Sequence, residues 1–299
     1  MPPTSVLMAI EAGAAQLSAA GVVFGHGTTN AFDEAAWLVL WQLNLPLDDL
    51  DSVSDRSLAK EEIAGIATLF EARIRSRKPA AYLTGEAWLQ GVPFYVDERS
   101  IVPRSLIAEV LADRLIDPWL SESTCRVLDL CTGNGSLAVL AALAWPLVQV
   151  DASDLSADAL AVAAINVAKH GLNGRIRLVE SDGFAALAGQ RYDLILCNPP
   201  YVNAASMARL PAEYRAEPAL ALAGGADGMD FIRRLLGDAP AYMSELAVLV
   251  LEIGNERAHF EAAFPALDAV WLETSAGEDQ VLLLTRPSLA ALNGAASKA

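Results

Sequence analysis

The run Cys125-Arg126-Val127-Leu128-Asp129-Leu130 is apolar and β-branched enough for a buried strand, and it passes straight into Cys131-Thr132-Gly133-Asn134-Gly135-Ser136. Leu137 to Trp145 then reads as a helix that Pro146 closes. A strand, a glycine-bearing turn and a helix in that order predict a cofactor loop. Gly133 and Gly135 let the backbone approach a ligand, and the helix begins with free N–H groups. The turn is not a full Gly-x-Gly-x-x-Gly, since Cys131 takes the first glycine position and Ala138 the last, so by itself it does not select a dinucleotide.

Strands and helices alternate downstream. Val148 to Asp154 predicts a strand that leaves Asp154 near its C-terminal end, about twenty residues beyond the glycines, where an acid meets ribose hydroxyls. Ile176 to Asp182 predicts another, tipped by an acid able to accept from an adenine amino group. The competing roles are a cap before the helix Ser156 to His170 for Asp154, and a turn before Gly183 for Asp182. Phe231 to Tyr242 reads as a helix and Leu246 to Glu252 as a buried strand, with Ala269 to Leu272 and Val281 to Leu284 closing the sheet. The expected fold is α/β, a seven-stranded doubly wound Rossmann-like sheet. Ligands in such sheets sit beyond the strands' C-terminal ends, which predicts that Asp129, Asp154, Asp182 and Asn198 converge on one crevice.

Asn198-Pro199-Pro200-Tyr201, at the end of the apolar run Tyr192 to Cys197, narrows the chemistry. Two prolines fix φ near −65° and remove two backbone donors, so the surrounding carbonyls stay free to accept. The Asn198 side chain adds another acceptor. A planar NH2 held by two acceptors turns its nitrogen lone pair toward an electrophile, while Tyr201 packs over the flat group that carries it. The plain alternative is a strand followed by a proline turn.

Together these residues resemble the class I S-adenosylmethionine-dependent methyltransferases, and within them the protein-glutamine N5-methyltransferases, from about Tyr82 to Arg286. The resemblance includes Phe94-Tyr95-Val96-Asp97-Glu98-Arg99, Val102-Pro103-Arg104-Ser105, Leu210 to Pro218 and Gly224 to Gly228. The first two stretches and Cys131 look like the branch acting on a large-subunit ribosomal protein, rather than the branch acting on release factors. The resemblance implies S-adenosylmethionine as cofactor, held by Asp129, Cys131, Thr132, Gly133 and Gly135 in the first loop, by Asp154 and Leu155, by Asp182, Gly183 and Phe184, and by Asn198. It implies catalysis by Asn198, Pro199, Pro200 and Tyr201, joined by Arg104 in binding the substrate. Two positions depart from the pattern. Leu106 stands where the branch carries Pro, and Gly183 where an apolar side chain covers one adenine face, a role that passes to Phe184.

Charge bears on the substrate, because adenine-amino methyltransferases carry the same clamp for an extruded base. A nucleic-acid enzyme neutralises phosphates with Lys and Arg, and this chain has 21 of them against 37 acids, a net charge of −16 with no basic tract. DNA is therefore not expected, whereas an acidic surface attracts a basic protein such as a ribosomal one. Three cysteines, Cys125, Cys131 and Cys197, lack metal-ligand spacing and leave an odd thiol, which predicts a reducing, cytoplasmic compartment. Pro146 interrupts the longest apolar stretch, and no membrane segment is expected. His26, His170 and His259 form no catalytic or metal set. A nicotinamide oxidoreductase would account for the glycine loop but not for the clamp, and a non-catalytic binding module would not need the acceptors.

Ahead of the sheet, helical spacing covers Ser5 to Ala20, Phe32 to Leu43 and Asp55 to Arg77, and a hairpin turning at Gln90-Gly91 follows. The expected organisation is a helical substrate-recognition domain over 1–85, a hairpin linker over 86–103, the methyltransferase domain over 104–286 and a mobile tail over 287–299.

Overall fold

Among the described residues, nine strands form a hairpin and one large sheet. A computed structural model describes residues 4–296. The hairpin strands are β1 (Glu86–Leu89) and β2 (Val92–Tyr95); the sheet strands are β3 (Arg126–Leu130), β4 (Gln149–Asp154), β5 (Ile176–Glu180), β6 (Tyr192–Cys197), β7 (Met243–Glu252), β8 (Val270–Thr274) and β9 (Gly277–Thr285). In the sheet the order is β5-β4-β3-β6-β7-β9-β8, parallel except for β9, which runs antiparallel between β7 and β8. The order reverses between β3 and β6, so a crevice opens beyond their C-terminal ends.

Both faces of the sheet are covered. Val127, Val150, Leu194 and Val250 pack with the helices Ile107–Ala112, Ser136–Ala144 and Ala157–Lys169. Leu128, Ile195, Leu249 and Leu284 pack with Asp230–Asp238, Arg257–Ala263 and Arg286–Ala296. Strands buried on both faces read as continuous apolar runs, which is why they were visible in the sequence. The last helix overturns the expected mobile tail from Pro287: Leu289 is fully buried in the second layer, and a composition rich in Ala suits a helix as well as a coil. Positions 297–299 lie outside the described residues.

In front of the sheet stand the helices Val6–Ala19, Ala31–Gln42, Lys60–Ser76 and Ala80–Thr84, packed around Ile10, Leu38, Val39 and Phe70. Ser5 and Asn30 cap the first two by accepting from the Met8 and Asp33 amides. The third starts five residues later than Asp55, because Ser57 pairs with Ser5 and Glu62 accepts the Ala59 amide to begin the helix there. The hairpin turns at Gln90 and Gly91 as expected, both with positive φ. Asn166 fastens it to the sheet, accepting the Tyr95 amide at 2.7 Å and donating to the Tyr95 and Asn134 carbonyls at 2.9 Å each.

Candidate active site

A cleft of about 620 Å³ opens at the ends of β3, β4, β5 and β6, lined among others by Cys131, Gly133, Asp154, Asp182, Asn198 and Pro200. Leu155, Gly183, Phe231 and Arg234 also face it. Its first wall is the turn after β3. Asp129 ends up buried behind this turn rather than facing the crevice: one carboxylate oxygen accepts from the Thr132 hydroxyl and the Ala138 amide, tying the turn to the first helical turn. The other oxygen, Oδ1, has no partner among the described residues. Burial pushes the Asp129 carboxyl up to about 7, against the pull of those two donors. Thr132 is likewise buried and does not line the cleft.

Gly135 stands where the helix Ala157–Lys169 crosses the turn. Its φ is +80°, and a Cβ there would lie 3.1 Å from that of Ala163. Cys131 also has a left-handed φ, +63°, without being glycine.

Asp154 is not the cap of the following helix; Ser156 is. The Asp154 carboxylate accepts from the Gly133 and Ser156 amides at 2.9 Å each, so it both shapes the turn and faces the cleft. Burial raises its pKa, opposed by the Ser156 and Gly133 amides. Asp182 sits on the rim, paired with Arg234 at 3.0 Å. Phe184 does not take the expected place. It is buried and stacked on Tyr242 with ring centroids 4.4 Å apart, because the turn at Gly183 points it into the apolar layer; the aromatic ring lining the cleft is Phe231.

Asn198 leaves β6 half-buried, and its side-chain amide makes no hydrogen bond among the described residues. Pro200 lines the cleft beside it, while Pro199 is buried. Tyr201 lies outside the cleft lining: its hydroxyl donates to Glu252 Oε1 at 3.2 Å, and its ring covers Gly254, where a Cβ would come within 2.5 Å. Glu252, at the end of β7, was not anticipated as a site residue. Its other oxygen accepts from the Ser105 hydroxyl at 2.6 Å and the Leu106 amide at 2.9 Å, and burial raises its pKa. A carboxylate closing the apolar run Leu246 to Leu251 was the available signal.

From Tyr201 the chain leaves the sheet and returns at Ala223 and Gly224 beside the cleft, with Val202 bridged to Ala223. The far side of this loop is bound to the helical domain by two buried acids. Glu213 pairs with Arg77 at 3.3 Å and Arg73 at 3.8 Å, and accepts the Val23 amide. Glu217 takes Arg104 through both oxygens at 2.6 and 2.7 Å and stands 3.4 Å from His26. Burial alone would raise Glu217; the Arg104 guanidinium, then His26, outweigh it and hold the carboxyl at about 2. Arg104, expected to meet substrate, is thus committed to Glu217 and lies over the Tyr214 ring, outside the cleft lining. No cluster that could hold a metal occurs among the described residues, and no described helix is long and apolar enough to cross a membrane.

The methyltransferase small domain family matches residues 108–213. The ribosomal protein uL3 glutamine methyltransferase of Bordetella pertussis is 58% identical over 92% of this chain and 92% of its own length. The chain belongs to that methyltransferase family. The enzyme of the same name from Burkholderia pseudomallei is 55% identical over 93% of this chain and 94% of its own. Among solved structures, the hMettl16 catalytic domain in complex with MAT2A 3′UTR hairpin 1 superposes with a TM-score of 0.52 at 15% identity, covering 78% of this chain and 83% of that one, a likeness of fold alone.

If Asp154 meets the cofactor's ribose, Asp154→Ala should weaken methyl-donor binding by about ten- to a hundredfold, the worth of a charge-assisted hydrogen bond. Calorimetry measures it, and an unchanged affinity would remove Asp154 from the site.

Proposed function

We propose that this protein transfers a methyl group from S-adenosylmethionine to the side-chain amide nitrogen of a glutamine in the large-subunit ribosomal protein uL3, in the cytoplasm. The observation that carries the reading is the Asn198 amide, unengaged by other described side chains and set beside Pro200 at the cleft of a member of this family. The residues suit that cofactor. Among the described residues, Asp129 Oδ1 and Ser153 Oγ are buried without partners, so this part of the fold holds polar capacity not used there. Asp154 and Leu155 would meet the ribose, and Asp182 with Gly183 the base, where Phe231 supplies the apolar wall, while Asp129 holds the shape of the first loop from behind.

When bound, the cofactor supplies a sulfonium-activated methyl group, which is already a strong electrophile. What the protein adds is position. Asn198 accepts one N–H of the glutamine amide and the backbone at the diproline accepts the other, which turns the lone pair toward the methyl group. Tyr201, fixed by Glu252, steadies the diproline turn from outside the cleft lining. The methylated nitrogen loses its extra proton to water, so no dedicated base is required, in keeping with the absence of a histidine from the cleft lining.

Charge distinguishes this substrate from a release factor. A chain of net charge −16 should meet a basic ribosomal protein fastest at low salt, and kcat/KM should fall as salt shortens the Debye length to about 10 Å at 0.1 M. The test offers unassembled uL3 and a release factor in equal amounts with labelled methyl donor, and reads glutamine methylation by mass spectrometry. Preferential labelling of the release factor overturns the substrate, and labelling of DNA adenine overturns the reaction.

A further inference from the structure

A second groove, of about 370 Å³, lies away from the cleft at the seam between the helical domain and the hairpin. Its walls are Phe32 and Trp37 from the helix Ala31–Gln42, Leu47 and Leu50 from the segment after it, and Trp88 from β1. Phe32 and Trp88 stay exposed, at 41% and 45%, although each would lose apolar area to water by turning inward. Trp88 is held in place by its indole N–H, which donates to Glu86 at 2.8 Å.

The charge around the groove has one sign. Residues 1–55 contain seven Asp and Glu and no Lys or Arg. Of these acids, Glu34 is buried against Arg73, whereas Asp33, which lines the groove, and Asp48, Asp49 and Asp51, which flank Leu47 and Leu50, are exposed. Aromatic faces inside an acidic rim suit a long cationic side chain: the stem covers apolar surface, the ring faces attract the cation, and the carboxylates meet its head. The volume admits one or two such side chains rather than a folded surface.

We infer that this groove docks an arginine- or lysine-bearing extended segment of the protein substrate. The inference rests on the function proposed above and adds to it the surface that selects the substrate. A physical link to the clamp exists. Gly27 lines the groove, and its neighbour His26 packs on Tyr214 at 4.3 Å and stands beside Glu217, both in the loop that leaves Tyr201. A segment seated here would therefore press on the same loop that holds the clamp.

The test uses the full-length enzyme and two variants. In one, Phe32→Ala and Trp88→Ala are combined; in the other, Asp48→Lys and Asp51→Lys. All four positions are exposed, so folding should survive. With unassembled uL3, each variant should raise KM about tenfold and leave kcat within about twofold, with methyl-donor affinity by calorimetry unchanged. The charge variant should lose most of its defect at high salt, and the aromatic variant should keep its own. Unchanged KM in both variants overturns the groove while leaving the methylation standing. Sedimentation that shows a wild-type dimer broken by the aromatic changes also overturns it, since the groove would then be a contact between copies. A wild-type enzyme that binds uL3 without methylating it overturns the function proposed above, not the groove.

Discussion

Asn198→Ala should lower kcat by about a hundred- to a thousandfold while cofactor affinity changes little, the loss seen when one oriented acceptor or donor is removed from a transition state, about 2.7–4 kcal/mol. The asymmetry follows from the geometry. Asn198 stands at the end of β6 with its amide uncommitted, whereas the turn after β3 and the Asp154 carboxylate build the opposite wall. Removing the amide leaves Pro200 and the cleft wall intact, so the methyl donor should still bind. Single-turnover kinetics with saturating uL3 isolates the chemical step. A kcat within a few-fold of the wild type would show that the nitrogen is oriented by the diproline carbonyls alone.

The second large effect is on stability. Arg73→Met should cost about 3–5 kcal/mol, because it leaves buried carboxylates without their cation. Arg73 is 0% exposed and its partners Glu34 and Glu213 are 1% exposed or less; its Nε meets Glu34 at 2.8 Å, and its Nη2 donates to the Val23 carbonyl. Adding Glu34→Gln should recover much of the loss, since Glu213 keeps Arg77 whereas Glu34 has only the Thr28 hydroxyl left. Denaturant titration gives both values. A loss below about 1 kcal/mol would mean that water reaches the network and the ions behave as exposed ones.

Much of this architecture was legible because it is written in local pattern. Apolar runs of strand length, the glycines of the β3 turn and the diproline each act over a few neighbouring residues, and the strands and helices of the sheet follow from them. Asp129, Asp154, Asp182 and Asn198 were read as one set by fold, and three of them do face one cleft. Asp129 does not, since it is buried behind its own turn, which its Oδ2 ties together. What stayed hidden depends on partners far apart in the chain. Ser105 meets Glu252 across 147 residues and Arg104 meets Glu217 across 113, and no spacing rule connects them. Arg104 looked like a substrate residue because its burial partner was invisible. Phe184 was assigned a face of the cleft because a turn at glycine leaves side-chain direction open until the apolar layer behind it is known. The first 55 residues announced only helices; that they lack any Lys or Arg gained meaning once Phe32 and Trp88 were seen to share a groove.

The loop that starts at Tyr201 and returns at Gly224 has the nature of an adapter. Chemistry stays with the sheet, and the helical part meets it through Glu213 gripping Arg73 and Arg77 and through Glu217 standing by His26. Such a joint makes the two parts interchangeable in principle: a different helical domain that kept the two arginine sockets at the same spacing could present a different protein to an unaltered clamp. Divergence of substrate among enzymes built this way then requires no change in the residues that move the methyl group.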